Sequence, residues 1–207
     1  KRELYEALEK AGAVTQSEYT LASGWPSRYF FDIDRLLSKA EFVEIVSKYY
    51  SEEIKRARRE IRIDKLAFIE KDLGTIGALP LMSSIVLKTG IDAFVVRLWK
   101  DVSIGSVKGS VGVEPASGDS IGLVSDVATT SRGLRDAAEI VWHYGAQAPC
   151  AFVLFDREQG AKQTLSRYRI DLRSILTRSE LERVGFIPRP SEDPMFEEDV
   201  IPPAGWK

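Results

Sequence analysis

The stretch Ile121-Gly122-Leu123-Val124-Ser125-Asp126-Val127-Ala128-Thr129-Thr130-Ser131-Arg132-Gly133 decides the fold. Residues 121–124 are apolar without alternation, the pattern of a strand buried on both faces. Asp126 follows at the end of that strand, where a carboxylate points into a crevice. Residues 129–133 then open a helix, whose free backbone N–H groups form an anion site. The hydroxyls of Thr129, Thr130 and Ser131 add hydrogen bonds to phosphate oxygens. A carboxylate just ahead of such a cradle suits the two hydroxyls of a ribose. The plainer alternative is a helix simply capped by Thr or Ser. No Gly-Lys-Ser/Thr follows the strand and no Gly-x-Gly-x-x-Gly opens the helix, so nucleotide-binding loops of those two kinds are excluded.

Outward from this segment the chain alternates strands and helices. Towards the N-terminus, strands are expected at 66–69 and 93–97, with a helix over 75–88 closed by Thr89-Gly90. Towards the C-terminus, a helix is expected over 133–144, strands at 151–155 and 170–176, and a short helix at 178–185. Such alternation predicts a largely parallel sheet covered on both faces. Ligands of these sheets sit beyond the carboxyl ends of the strands, which singles out the loops 70–75, 97–118 and 125–133. The middle loop is long, polar and glycine-bearing, as lids are. Residues 2–11 carry Leu4, Leu8 and Ala11 at helical spacing. The runs 19–22 and 29–33 flank a Gly-Pro turn and predict a hairpin. A long helix spans 39–60. The last twenty residues hold five prolines and read as an irregular tail.

The bulk numbers agree with this picture. The 207 residues suit one domain, and 44% hydrophobic with 29% charged residues is an ordinary soluble balance. A net charge of −2 gives no general pull towards nucleic acid or an anionic membrane. No apolar run approaches the roughly 20 residues of a membrane helix, and the first residues do not read as a secretory signal, so a cytoplasmic protein is expected. The single cysteine, Cys150, excludes a disulfide framework and reads as a buried hydrophobe. The single histidine, His143, falls late in a helix with no acid or nucleophile beside it, which removes a Ser-His-Asp site. Asparagine is absent while Glu, Lys and Arg are frequent, a composition that suggests a hot-growing source.

Residues 125–130 resemble the 5-phosphoribosyl-1-pyrophosphate motif of type I phosphoribosyltransferases. Three further segments narrow the resemblance to orotate phosphoribosyltransferases. Residues 19–32, Tyr-Thr-Leu-Ala-Ser-Gly-Trp-Pro-Ser-Arg-Tyr-Phe-Phe-Asp, are similar to that family's N-terminal hood. Residues 97–101, Arg-Leu-Trp-Lys-Asp, are similar to the start of its catalytic loop. Residues 156–160, Asp-Arg-Glu-Gln-Gly, look like its orotate-contacting segment. The resemblance spans about residues 3–185. It implies an α/β fold with a type I phosphoribosyltransferase-like parallel sheet flanked by helices. A small hood over 1–38, a core over 39–187 and the tail from 188 to 207 would divide the chain.

The resemblance also implies a reaction. Orotate attacks C1 of phosphoribosyl pyrophosphate, pyrophosphate leaves, and Mg²⁺ accompanies the substrate without direct protein ligands. Thr129, Thr130, Ser131, Arg132 and Gly133 would hold the 5-phosphate and Asp126 the ribose hydroxyls. Lys100, from the lid of a neighbouring subunit in a homodimer, would neutralise pyrophosphate with Arg97 nearby. Phe30, Phe31 and Arg157 would flank the pyrimidine. The chain departs from the family pattern where Ser125 replaces the first of two acids, and Ser131 a glycine. It departs again where Ala22, Leu73 and Val102 replace cations or a histidine. Two functions therefore stand side by side: an orotate phosphoribosyltransferase, or a catalytically impaired relative that binds phosphate or nucleotide. Transfer to another base, stacked on Trp25 or Trp99, is a third.

Overall fold

The computed structural model describes residues 1–20, 26–70, 77–98 and 109–187. Helix α1, Arg2–Ala11, buries Leu4, Ala7, Leu8 and Ala11, one stripe at helical spacing. Gly12 closes it in the left-handed conformation. Strands β1 (Val14–Thr20) and β2 (Pro26–Phe31) form an antiparallel pair. The hairpin therefore begins five residues before the run at 19–22 from which it was expected. Its first half is polar, and pairing with β2, not hydrophobicity, makes it a strand.

Helix α2, Ile33–Leu37, is capped by the Asp32 carboxylate, which accepts from Arg35 N at 2.9 Å. Helix α3, Ala40–Ala57, turns Phe42, Val46, Tyr50, Ile54 and Ala57 inward. Then follow β3 (Lys65–Glu70), a 3-10 turn at Leu79–Leu81, α4 (Met82–Thr89) and β4 (Asp92–Arg97). Pro80 holds the 3-10 turn and delays α4 relative to the helix expected from residue 75. The chain continues with β5 (Gly109–Gly112), β6 (Ser120–Ala128), α5 (Arg132–His143), β7 (Gln147–Asp156), α6 (Ala161–Arg167), β8 (Asp171–Thr177) and α7 (Arg178–Arg183). Helices α2 and α6 were not foreseen, being too short to show a period.

The main sheet has the order β5-β4-β3-β6-β7-β8. Five strands run parallel and β5 lies antiparallel on the β4 edge. Both faces are buried. Leu66 and Phe68 of β3 join the apolar cluster formed with α1, α3 and α4, while Ala67 and Ile69 join the one formed with α5 and α6. Arg173 ties edge strand β8 to α3 through Glu53 at 3.5 Å and to the turn after α3 through Glu60 at 2.6 Å, and also pairs with Asp171 at 2.8 Å. Among the described residues, no helix is long and apolar enough to cross a membrane.

The sheet's centre is tight at Gly122. A Cβ there would stand 3.1 Å from both Leu66 Cδ2 and Phe152 Cε2, which sit on the flanking strands. Gly122→Ala is expected to destabilise the protein by about 1–3 kcal/mol through overpacking. Chemical denaturation followed by circular dichroism measures it, and an unchanged midpoint would contradict the packing argument.

Candidate active site at the carboxyl ends of the central strands

Strand order reverses between β3 and β6. The chain winds from β3 to β4 on one side and from β6 through β7 to β8 on the other. Ligand crevices of open parallel sheets form at such a switch point. Here β3 and β6 are paired only as far as Phe68 and Val124. Beyond that, β3 continues beside β4 to Glu70–Arg97, and β6 continues beside β7 to Ala128–Asp156.

Asp126 stands in this opening. It belongs to the strand itself, since β6 runs four residues past Val124. Ser125 Oγ donates to Asp126 Oδ1 at 3.1 Å. Gly77, at φ +50°, brings its backbone against the other oxygen: a Cβ there would be 3.7 Å from Asp126 Oδ2. Ser125 is fully buried, and its carbonyl accepts from Tyr50 Oη at 2.6 Å.

The loop expected to take phosphate follows. Helix α5 starts at Arg132, three residues later than Thr129. Ser131 is its N-cap residue, at φ 64° and ψ 19°, yet no side chain caps the helix by hydrogen bonding. The alternative of a simple Thr or Ser cap is therefore not what the loop contains. The first-turn N–H groups have no acceptors inside the helix, no acid lies in that turn, and Arg132 is exposed. The result is a positive helix end suited to an anion. The left-handed conformation of Ser131 is the one glycine favours. Its hydroxyl is buried and has no hydrogen-bond partner among the described residues.

On the far side of β6, Arg157 leaves the end of β7 and is 3% exposed. Its Nη2 donates to Ser27 Oγ at 2.7 Å, and its guanidinium carbon lies 4.2 Å from the centre of the Tyr29 ring. Phe31 stacks on Phe155, with centroids 4.6 Å apart and planes at 11°. Phe31 is thus buried at the joint between hairpin and sheet, whereas Phe30 is half-buried on the other face of β2. Arg157 N–H donates to Ala128 O at 2.9 Å, which binds this segment to the start of the phosphate loop. Asp156 accepts from Glu158 N at 2.8 Å, and burial pushes its carboxyl pKa up. Glu158, at φ 54°, holds Ser179 by its N–H and hydroxyl at 2.7 and 2.6 Å. Sequence reasoning missed Tyr50 and Gly77, which reach this opening from distant segments, and gave no role to Ser27 and Tyr29 within the quoted segment 19–32.

Arg97 is engaged by Glu70 beside it, Nε to carboxylate 2.9 Å, with both side chains about one quarter exposed or less. Lys100 lies outside the described residues, as do Ala22, Trp25, Leu73, Trp99 and Val102. His143 ends α5, about 18 Å from its start at 1.5 Å per residue. Cys150 is buried near the opposite end of β7, and burial pushes its thiol to about 12, an inert group. A hollow of about 360 Å³ along α5 is lined by Asp136, Glu139 and His143, the wrong charge for a phosphate. Among the described residues no group of three or more His, Cys, Asp or Glu could hold a metal ion.

This fold is that of the type I phosphoribosyltransferases. No family model matches the chain. An orotate phosphoribosyltransferase of Methanosarcina mazei is 30% identical over 87% of the chain and 91% of its own length. One from Pyrococcus horikoshii is 31% identical over 87% and 92%. The crystal structure of orotate phosphoribosyltransferase from Aeropyrum pernix superposes with a TM-score of 0.74 at 27% identity, covering 88% of this chain and 98% of that one. An adenine phosphoribosyltransferase, at 15% identity and a TM-score of 0.61, shares the fold. The chain belongs to the orotate phosphoribosyltransferase family.

Two substitutions test the site's construction. Ser131→Gly removes a strained backbone and an unpaired hydroxyl, and is expected to raise stability by about 1 kcal/mol. Ser125→Asp restores a second acid but buries it beside Asp126, with an expected cost of about 3 kcal/mol at neutral pH. The introduced carboxyl would have a raised folded pKa. Its penalty is therefore fully present above that pKa, fades as the pH falls from it towards the unfolded value of about 4, and is gone below that value. Thermal denaturation between pH 4 and 8 reads both effects. A pH-independent deficit in the second variant would contradict the buried-charge account.

Proposed function

We propose that this protein transfers phosphoribose from phosphoribosyl pyrophosphate to orotate, a step of pyrimidine nucleotide synthesis. The observation that carries the reading is the uncapped start of α5 set directly behind Asp126 at the switch point. A ring nitrogen of orotate attacks C1, the C1–O bond to pyrophosphate breaks, and its electrons leave with pyrophosphate. The transition state is an oxocarbenium ion, so the protein's tasks are placement and charge neutralisation.

Residues 129–133 hold the 5-phosphate by backbone N–H groups, the Thr129 and Thr130 hydroxyls and the Arg132 charge. Asp126 takes the ribose hydroxyls. Phe30 and Arg157 bound the pyrimidine, while Tyr29 and Phe31 hold the hood segment, residues 1–38, over it. Lys100 neutralises pyrophosphate from the lid of the partner subunit in a homodimer, and Arg97 supports that edge from its pair with Glu70. Mg²⁺ would be held by the phosphates of phosphoribosyl pyrophosphate and not by direct protein ligands, as such ions commonly are at phosphate-transfer sites. The ion would reduce the charge of departing pyrophosphate. The cytoplasm is the setting in which both substrates are found together, and the ion-pair network around Arg173 suits a heat-adapted chain.

The test is loss of orotate absorbance with phosphoribosyl pyrophosphate and Mg²⁺, beside calorimetric binding of phosphoribosyl pyrophosphate. Turnover with pyrophosphate release is expected. Arg132→Ala and Thr130→Ala should each raise KM for phosphoribosyl pyrophosphate, by about 10- to 100-fold and about 10-fold. Saturable binding with no turnover would overturn the catalytic reading.

A further inference from the structure

Tyr50 occupies the buried stripe of α3 between Val46 and Ile54 and has no exposed surface. For packing alone a phenylalanine would serve, and a buried hydroxyl needs partners. Its partner is in the sheet. Tyr50 Oη donates to the Ser125 carbonyl at 2.6 Å. The register of β6 and β7 keeps one offset, from Gly122 opposite Cys150 to Ala128 opposite Asp156. The hydroxyl thus meets β6 at the peptide that leads into Asp126.

We propose that Tyr50 is a positioning residue for Asp126, its hydroxyl fixing the Ser125–Asp126 peptide so that the carboxylate faces the ribose. The reason is mechanical. Past Val124 the strand has lost β3, so the Ser125–Asp126 peptide is steadied from the β7 side and by Tyr50 from below. Rotation of that peptide would swing the Asp126 side chain away from the crevice. The Ser125 hydroxyl bond to Oδ1 fixes the carboxylate only relative to this same backbone. Burial raises the Tyr50 pKa well above its ordinary value, so the group is a donor at every working pH. The inference rests on the proposed phosphoribosyl transfer.

Tyr50→Phe keeps the ring and tests the hydroxyl. The expected result is a fall of about tenfold in kcat/KM for phosphoribosyl pyrophosphate, with KM for orotate within about twofold of wild type. The pH profile should keep its shape. Ile54→Val, a neighbouring core change with a comparable loss of stability, should leave both constants unchanged. In the background of Asp126→Asn, adding Tyr50→Phe should cost little more, because the two act through one group. Wild-type constants in Tyr50→Phe would overturn the inference, and so would additive losses in the double variant. Equal losses for both substrates, matched by Ile54→Val, would reduce Tyr50 to a structural part. If the wild type neither binds phosphoribosyl pyrophosphate nor turns over, the proposed function falls and this inference with it. Failure of Tyr50→Phe alone leaves that function standing.

Discussion

Past Val124 the central strand keeps, among the described residues, a backbone partner on one side only, and the opening is built around that fact. A strand paired on both sides in a parallel sheet is enclosed by helices and has no room for a carboxylate. Where β3 turns off with β4, β6 gains an open flank while β7 still holds it extended. Asp126 can then be part of a regular strand and still face a crevice. The same divergence explains Gly77. The chain returning from β3 passes so near Asp126 that its backbone forms the opposite wall.

The groups that shape this wall are largely neutral. Ser125 sits where a second acid would put two like charges side by side, and such pairs push one carboxyl towards protonation. With serine there, the opening holds one carboxyl group, and Asp126 gains a hydrogen-bond donor at 3.1 Å. The cradle at α5 is also made mostly of backbone, with the strained Ser131 setting the angle between strand and helix. A phosphate held by oriented N–H groups needs no rearrangement on binding, which is where such sites derive their advantage. Positive charge is thereby concentrated in Arg132, at the loop's outer edge.

The sequence discloses this site unevenly. The place of Asp126 at the opening was legible because a polar residue directly after a buried apolar run has few structural uses. The extent of β6 was not, since Ser125 and Asp126 look like loop residues until β7 is known to lie beside them. The first half of β1 failed for a related reason: its polar residues become a strand only through β2. Tyr50 was hidden because its spacing on α3 is that of any core aromatic, and its hydroxyl's target is 75 residues away. The departure at Ser131 was visible, but only the φ of 64° shows that serine has taken on a glycine's conformation.

The hairpin adds the last coupling. Tyr29 and Phe31 close on Phe155, one edge-on at 6.3 Å and one stacked at 4.6 Å, and Ser27 takes the Arg157 guanidinium. Arg157 is in turn bonded through its N–H to Ala128, the residue from which the phosphate loop departs. The hood and the phosphate loop therefore share one short stretch of backbone across β6 and β7. Displacing β2 would expose a buried cation and the Phe155 ring, costs that favour keeping the hood closed on the strands. On the proposed assignment the base side and the phosphate side of the site are consequently held at a fixed separation, as a reaction between two substrates at one carbon requires.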